Sequence, residues 1–171
     1  MKLTSLILEE LDREAELTRR ALEQVPDGKN DWKPHPKSMP LGQLAHMVAN
    51  IPTWISMMVK QDELDIKAGT SAGNGASRNL DSSEALVKAL DQAVKDAREA
   101  VSGTTDKKLQ TPWRLLEGGK VVMEHPRYAF ILENFNHLAH HRGQLTVYMR
   151  LSGIAVPPIY GPSGDENPFR K

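Results

Sequence analysis

The ten residues 136–145, with the sequence NHLAHHRGQL, carry the most information about this chain. They place His137 and His141 four residues apart within a segment of helical periodicity. On a helix this spacing puts both imidazoles on the same face, one turn apart, where they can reach one ion. The six histidines of the chain give about 0.2 pairs at any fixed spacing by chance, and isolated helix histidines are commonly structural. Metal binding therefore requires a third ligand from elsewhere in the chain.

Hydrophobic periodicity extends over most of the sequence and predicts an all-α fold, a four-helix bundle. Pro126 is a favoured residue at the start of the fourth helix, and the sequence Asp81-Ser82-Ser83-Glu84 predicts an N-cap for the third. Pro52 lies inside the second helix and predicts a kink there. The predicted helices are about Thr4–Val25, Leu41–Val59, Ser83–Ser102 and the segment from Pro126 to Leu151.

Two connecting segments have distinctive compositions. Residues 115–122 place apolar runs on either side of Gly118-Gly119, which predicts a short β-hairpin between the third and fourth helices. Residues 61–80 are rich in glycine and serine and predict a long mobile loop, of the kind that is disordered or gates a site. Since no repeat or domain boundary is visible, residues 1–171 are predicted to form a single domain.

Composition and charge exclude several classes of function. The 171 residues include 22 basic and 22 acidic side chains, whereas a domain that binds nucleic-acid phosphates usually has a basic excess. The absence of cysteine excludes disulfides, iron–sulfur clusters, zinc–thiolate sites and cysteine nucleophiles. No apolar run has the length of a membrane span or of a secretory signal. We therefore expect a cytoplasmic protein without a nucleic-acid or membrane partner.

His46, in the second helix, is the candidate for the third ligand. At about 100° per residue it lies nearly opposite the apolar stripe of that helix, beside small or mildly polar residues such as Asn50 and Thr53. If the helix is buried on one side only, His46 is exposed and cannot be a ligand. If one side is buried in the bundle and the other against a second subunit, His46 can join the pair and the chain forms a homodimer.

Three more polar side chains share the face of the fourth helix that carries the histidine pair. Each can hydrogen-bond to an imidazole or to a substrate, and a metal-bound imidazole usually needs such a partner to fix its orientation. These candidates for orienting the imidazoles are Asn134, Gln144 and Tyr148.

The other conspicuous residues have structural interpretations. The tryptophans are expected to anchor the core or an interface. A solvated helix face is expected from the charged residues Glu9, Glu10, Asp12, Arg13 and Glu14. Three histidines are assigned to loops, hydrogen bonds or interfaces: His35, His125 and His140.

Two segments resemble a known family. DWKPHPKSMPLGQLAH, residues 31–46, resembles the region that leads into the first metal histidine of the DinB-like proteins. NHLAHHRGQL, followed by Tyr148-Met149-Arg150, resembles the second signature of that family, and PPIYGP at residues 157–162 is similar to its C-terminal ending. The resemblance covers nearly the whole chain. It implies a four-helix bundle, usually a homodimer, that holds one divalent metal ion per chain through His46, His137 and His141.

The resemblance also implies a chemistry, because relatives with assigned activities are similar to enzymes that use low-molecular-weight bacterial thiols. Three imidazoles suit zinc, nickel, copper or iron, of which we expect zinc or nickel. They leave a coordination position open for a water or a thiolate. We therefore expect a thiol S-transferase that acts on small electrophiles, with the thiol supplied as a cosubstrate. The alternatives are a metal-dependent hydrolase that uses a metal-bound water, and a non-catalytic metal-binding stress-response dimer.

Overall fold

Helices account for most of the computed structural model, which describes residues 2–67 and 82–170. Across those two ranges the helices are α1 (Leu3–Glu23), α2 (Leu41–Asn50), α3 (Thr53–Lys60), α4 (Ser83–Ser102), α5 (Asp106–Leu109) and α6 (Arg127–Leu151). The strands are β1 (Glu63–Asp65), β2 (Pro112–Glu117) and β3 (Lys120–Pro126). This confirms the prediction of a mostly helical protein. Within the same ranges, none of the helices has the length and apolar character needed to cross a membrane.

Helices α1, α4 and α6 lie within two residues of their predicted bounds because their end signals are local. The Ser82 hydroxyl caps α4 by accepting a hydrogen bond from the backbone N–H of Ala85 at 3.2 Å. Pro126 stands immediately before α6, where its missing N–H leaves no helical hydrogen bond unmade.

The second predicted helix is two helices rather than one kinked helix. Helix α2 ends at Asn50 and α3 begins at Thr53, with Ile51 and Pro52 between them. Pro52 has no N–H to donate and its ring crowds the carbonyl one turn earlier, so the ladder of helical hydrogen bonds is interrupted. The Thr53 hydroxyl donates to the Asn50 carbonyl at 2.7 Å, which holds the two helices together across the break.

The strands form one small sheet in the order β1-β2-β3, with β1 parallel to β2 and β2 antiparallel to β3. Gly118 and Gly119 connect β2 to β3 with φ values of 60° and 78°. The favoured two-residue hairpin turn needs a positive φ at both of its central residues, which glycine adopts without strain. The Asp65 carboxylate accepts hydrogen bonds from both glycine N–H groups, at 2.9 and 2.6 Å. Three residues of the predicted 61–80 loop form strand β1. Residues 68–80 of that loop lie outside the described residues.

The core consists of two clusters that α6 connects. Phe130, Ile131 and Phe135 pack with residues of α1, α3 and α4, and with Trp113 of β2. After the next turn, Leu138 and Leu145 pack with residues of α1, α2 and α4. His137 and His141 therefore lie on the helix that spans both clusters, and this helix is a fixed platform for side chains on its remaining face.

A buried ion pair attaches α6 to α1 immediately beside the histidine pair. The Arg142 guanidinium donates to the Glu14 carboxylate at 2.7 Å and to the Thr18 hydroxyl at 2.8 Å. The Tyr160 hydroxyl accepts from Arg142 at 2.5 Å and donates to Glu14 at 2.9 Å, so the C-terminal segment joins the network. The prediction of a solvated Glu14 is wrong, because its cationic partner comes from the far end of the chain and Glu14 is only 2% exposed.

Candidate metal centre

His137 and His141 face each other on one side of α6. Their ring centroids are 4.6 Å apart and their planes are inclined at 67°, and both rings are half-buried. Two imidazoles that share a zinc ion at about 2.0–2.1 Å have their centroids roughly 4.5–5.2 Å apart, for angles at the ion between about 90° and 110°. The separation of the pair therefore fits two ligands of one ion.

Gln144 bridges His141 and the neighbouring His140. The Gln144 Oε1 lies 2.8 Å from His141 Nδ1, and its Nε2 lies 3.0 Å from His140 Nε2. An amide oxygen only accepts and an amide nitrogen only donates, so this arrangement places the proton of the neutral His141 ring on Nδ1. The His141 Nε2 lone pair is then free for a cation, which is the usual effect of a partner that orients a metal-binding histidine.

Burial favours the neutral form of two of the three predicted ligands. Desolvation lowers the pKa of His46 below its usual value. Desolvation also lowers the pKa of His137, and the nearby charges of His141 and His140 add to the effect. Neutral imidazole is the form that coordinates a metal, so protons compete less for these two rings near neutral pH.

Contacts at both ends of α2 fix its alignment against α6. At one end the Leu41 N–H donates to the Trp32 carbonyl at 2.8 Å, and the Trp32 ring packs edge-on against Tyr148 with centroids 5.7 Å apart. At the other end the Asn134 amide donates to the Ile51 carbonyl at 3.1 Å. The N-terminal end of α2 therefore lies toward Tyr148 and its C-terminal end toward Asn134, so the two helices run antiparallel.

His46 lies in the middle of α2, which packs against α6. Apart from the exposed Gln43, every residue of α2 is buried or half-buried, and His46 is half-buried. The alternative in which α2 is buried on one side only and His46 is exposed is therefore wrong, and the homodimer stays a prediction. In the described ranges, however, no group of three or more histidine, aspartate or glutamate side chains is arranged to hold a metal ion. The structure brings His137 and His141 together, without His46 in the group.

The remaining predicted site residues have different surroundings. Gln144 contacts His141 directly, as expected of a side chain that orients an imidazole. Asn134 is buried and its amide binds the Ile51 carbonyl, so it joins α6 to the break between α2 and α3. Tyr148 packs against Trp32 at the opposite end of α2.

A cleft of about 300 Å³ lies directly beside His137. The Trp54 ring forms one wall and packs on the His137 imidazole with centroids 5.4 Å apart. The polar residues of the cleft are Glu133, Asn134 and His137. Its aromatic and thioether walls are Trp54, Trp113, Phe130, Met57, Met58 and Met123. The sequence assigns Trp54 and Trp113 to the core or an interface, and Trp113 is buried in the core. Their part in the cleft has no sequence signal, because the cleft gathers α3, the sheet and α6 without any regular spacing along the chain.

Comparison with known proteins finds a matching family, a relative of similar sequence and solved structures of similar fold. The model of the DinB family matches residues 1–167. The uncharacterized protein YrdA of Bacillus subtilis (strain 168) is 29% identical over 157 residues, which cover 90% of this chain and 85% of that protein. A DinB-like protein from Bacillus cereus ATCC 10987 has a similar structure, with a TM-score of 0.68 at 25% identity over 90% of this chain and 95% of the other. YjoA, a DinB-like protein of Bacillus subtilis, shares the fold with a TM-score of 0.67 at 16% identity, over 91% and 96% of the chains.

Proposed function

Because the chain belongs to the DinB family, we propose that it is a metal-dependent enzyme whose divalent ion is held by His46, His137 and His141. One observation carries this proposal. Two half-buried histidines on α6 have the separation of two ligands of one ion, and Gln144 orients one of them. Neutral imidazoles are donors that suit zinc or nickel.

His46 is the third ligand in this proposal. It lies in the middle of α2, which packs directly against α6. The axes of packed helices are about 8–10 Å apart, a gap that histidine side chains from both helices can span together. A change of the His46 side-chain torsions on binding then completes the set of three.

The bound ion would supply a Lewis acid that makes a thiol or a water nucleophilic near neutral pH. The chain's own residues prepare the site for that chemistry. Gln144 holds His141 in the tautomer with a free Nε2. The apolar walls beside His137 bind the organic part of a substrate and exclude water from it. Three protein ligands leave at least one coordination position for the reacting molecule.

The reaction we propose is transfer of a small thiol to an uncharged organic electrophile. An S–C bond forms as the thiol loses its proton to solvent, and the leaving group departs with the electron pair of the broken bond. The mainly apolar cleft favours an uncharged electrophile over an anionic one, because an anion would lose its hydration and lie beside the Glu133 carboxylate. The thiol must come from solution, since the chain has no cysteine.

Thiol dependence is the test of this proposal. Protein purified without nickel and loaded with zinc is incubated with 1-chloro-2,4-dinitrobenzene and glutathione, bacillithiol or mycothiol in turn. We expect enzyme-dependent conjugate formation with at least one thiol, and its loss in His141→Gln. The matched control is His35→Gln, which removes an exposed histidine from a loop. If no thiol supports turnover while 4-nitrophenyl acetate is hydrolysed without thiol, the transferase proposal is overturned and a hydrolase replaces it.

A further inference from the structure

Glu133 is a charged residue of the cleft beside His137 that the proposed chemistry does not use. It is exposed, and it lines the cleft together with His137. The two residues are four apart on α6, so the helix presents both on the same side. Within the described ranges, no hydrogen bond or ion pair engages the Glu133 carboxylate. A ligand in the cleft therefore meets an accessible negative charge that is free to pair with it.

The charge of Glu133 is not neutralised within the cleft. None of the described residues that line it is a lysine or an arginine. The whole chain has 22 basic and 22 acidic residues, so it has no net charge that would attract cations over a long range. A preference of this protein for a cationic ligand in the cleft would therefore be a local property of Glu133.

The accessible walls of the cleft suit the apolar part of an organic cation. Trp54 is half-buried and Met123 is 39% exposed, and both line the cleft. Aromatic faces carry partial negative charge and thioethers are polarisable, so such walls accept alkylammonium groups more readily than anions. The volume of about 300 Å³ limits the ligand to a small molecule. The other half-buried apolar residues of the lining are Met57, Leu64 and Leu115.

We propose that this cleft binds a small organic cation, with its ammonium group beside Glu133 and its apolar body against the walls that include Trp54 and Met123. As an assignment of the electrophile's class, this rests on the proposed metal-dependent function. The reacting part of the electrophile is then uncharged and lies toward His137, and the ammonium group lies at the other end of the molecule. Glu133 and His141 are eight residues apart, which is about 12 Å along α6, so the ammonium group is kept away from the proposed ion. The binding itself requires only the cleft, so it can be tested with and without metal.

The test compares three probes that differ in charge: 4-fluorobenzyltrimethylammonium, 4-fluorobenzyl alcohol and 4-fluorophenylacetate. Binding to the full chain near neutral pH is followed by fluorine NMR. The cation should bind at least about fivefold more tightly than the alcohol, in metal-free and in zinc-loaded protein, because ion pairing and aromatic contact each add modestly to its affinity. The anion should bind more weakly than the alcohol in metal-free protein, where its carboxylate has no zinc to bind. Equal affinity for the cation and the alcohol, or tighter binding of the anion to metal-free protein, overturns the proposal.

Two variants identify the residue involved. Glu133→Gln removes the charge but keeps the size of the side chain, so the preference for the cation over the alcohol should fall below about twofold while the affinity for the alcohol stays within about twofold. The matched control is Glu124→Gln, which removes the charge of an exposed glutamate next to Met123 on β3, outside the lining of the cleft, and should keep the preference. Thermal unfolding shows that both variants are folded. If the preference persists in Glu133→Gln, or falls equally in both variants, the assignment to Glu133 is wrong.

These measurements separate the two proposals. Cation-selective binding in a protein that binds no zinc at the histidines supports the cleft and removes the metal-dependent function. Zinc binding that depends on the histidines, without cation selectivity, supports the metal centre and removes the proposed ligand class.

Discussion

Replacing His137 by glutamine should lower the affinity of this protein for zinc at least about 100-fold, because loss of a partner that merely orients a ligand already costs about 10–100-fold. The His137 ring faces His141 with centroids 4.6 Å apart, and loss of either ring leaves a cation with an incomplete set of donors. The affinity is measured by competition with a chromophoric zinc chelator. Circular dichroism and thermal unfolding of the variant show whether the protein is folded.

Two further variants make this experiment specific. Gln144→Ala removes the acceptor of the His141 Nδ1–H bond but no proposed ligand, so its loss should lie in the range of about 10–100-fold. His35→Gln removes an exposed histidine from the loop before α2 and should leave the affinity unchanged. A His137→Gln protein that is folded and binds zinc within about threefold of the parent would refute the metal centre.

Replacing Arg142 by methionine should lower the free energy of unfolding by about 3–5 kcal/mol, because it leaves the Glu14 carboxylate buried without its cation. Arg142 and Glu14 are 1% and 2% exposed, and the guanidinium also binds Thr18 and Tyr160. Urea denaturation measures the change, provided that the slope of the transition is the same in both proteins.

The double variant Glu14→Leu/Arg142→Met distinguishes two contributions to the free energy of unfolding: the penalty for an unpaired buried charge and the net stabilisation by the ion pair. Removing both charges should recover most of the lost stability, because apolar replacements of a buried ion pair are often neutral or better. Arg150→Met is the control on the same helix, since its pair with Asp165 is exposed and should contribute less than about 1 kcal/mol. If Arg142→Met has no larger effect than Arg150→Met, the interpretation of the buried network is wrong.

The sequence predicts the parts of this fold that depend on neighbouring residues. α4 and α6 have regular apolar spacing, and Ser82 and Pro126 mark where they start, so their bounds follow from local rules. The sequence predicts a kink at Pro52, and the chain instead forms two separate helices on either side of it. Whether a proline kinks a helix or ends it depends on tertiary contacts, which the sequence pattern does not specify.

Features built from distant segments were not predictable in the same way. Strand β1 is three residues long and is held by pairing with β2, some fifty residues later. Glu14 has the composition of a solvated face, and Arg142, its cation, lies 128 residues away. The cleft beside His137 gathers Trp54, Trp113 and Met123 from separate elements.

The histidine site was predictable in part. The four-residue spacing brings His137 and His141 together because both lie on one helix. The position of His46 relative to that pair depends instead on how α2 packs against α6, about which the spacing of the histidines along the chain carries no information. Its coordination of an ion stays a prediction.

X-ray diffraction at the zinc and nickel absorption edges, from crystals of protein purified without nickel, tests the metal centre most directly. We predict one anomalous peak per chain between α2 and α6, at about 2.0–2.1 Å from a ring nitrogen of each of His46, His137 and His141, with at least one coordination position open. A peak bound by His137 and His141 while His46 stays away from it, or an ion bound elsewhere in the chain, would contradict the account.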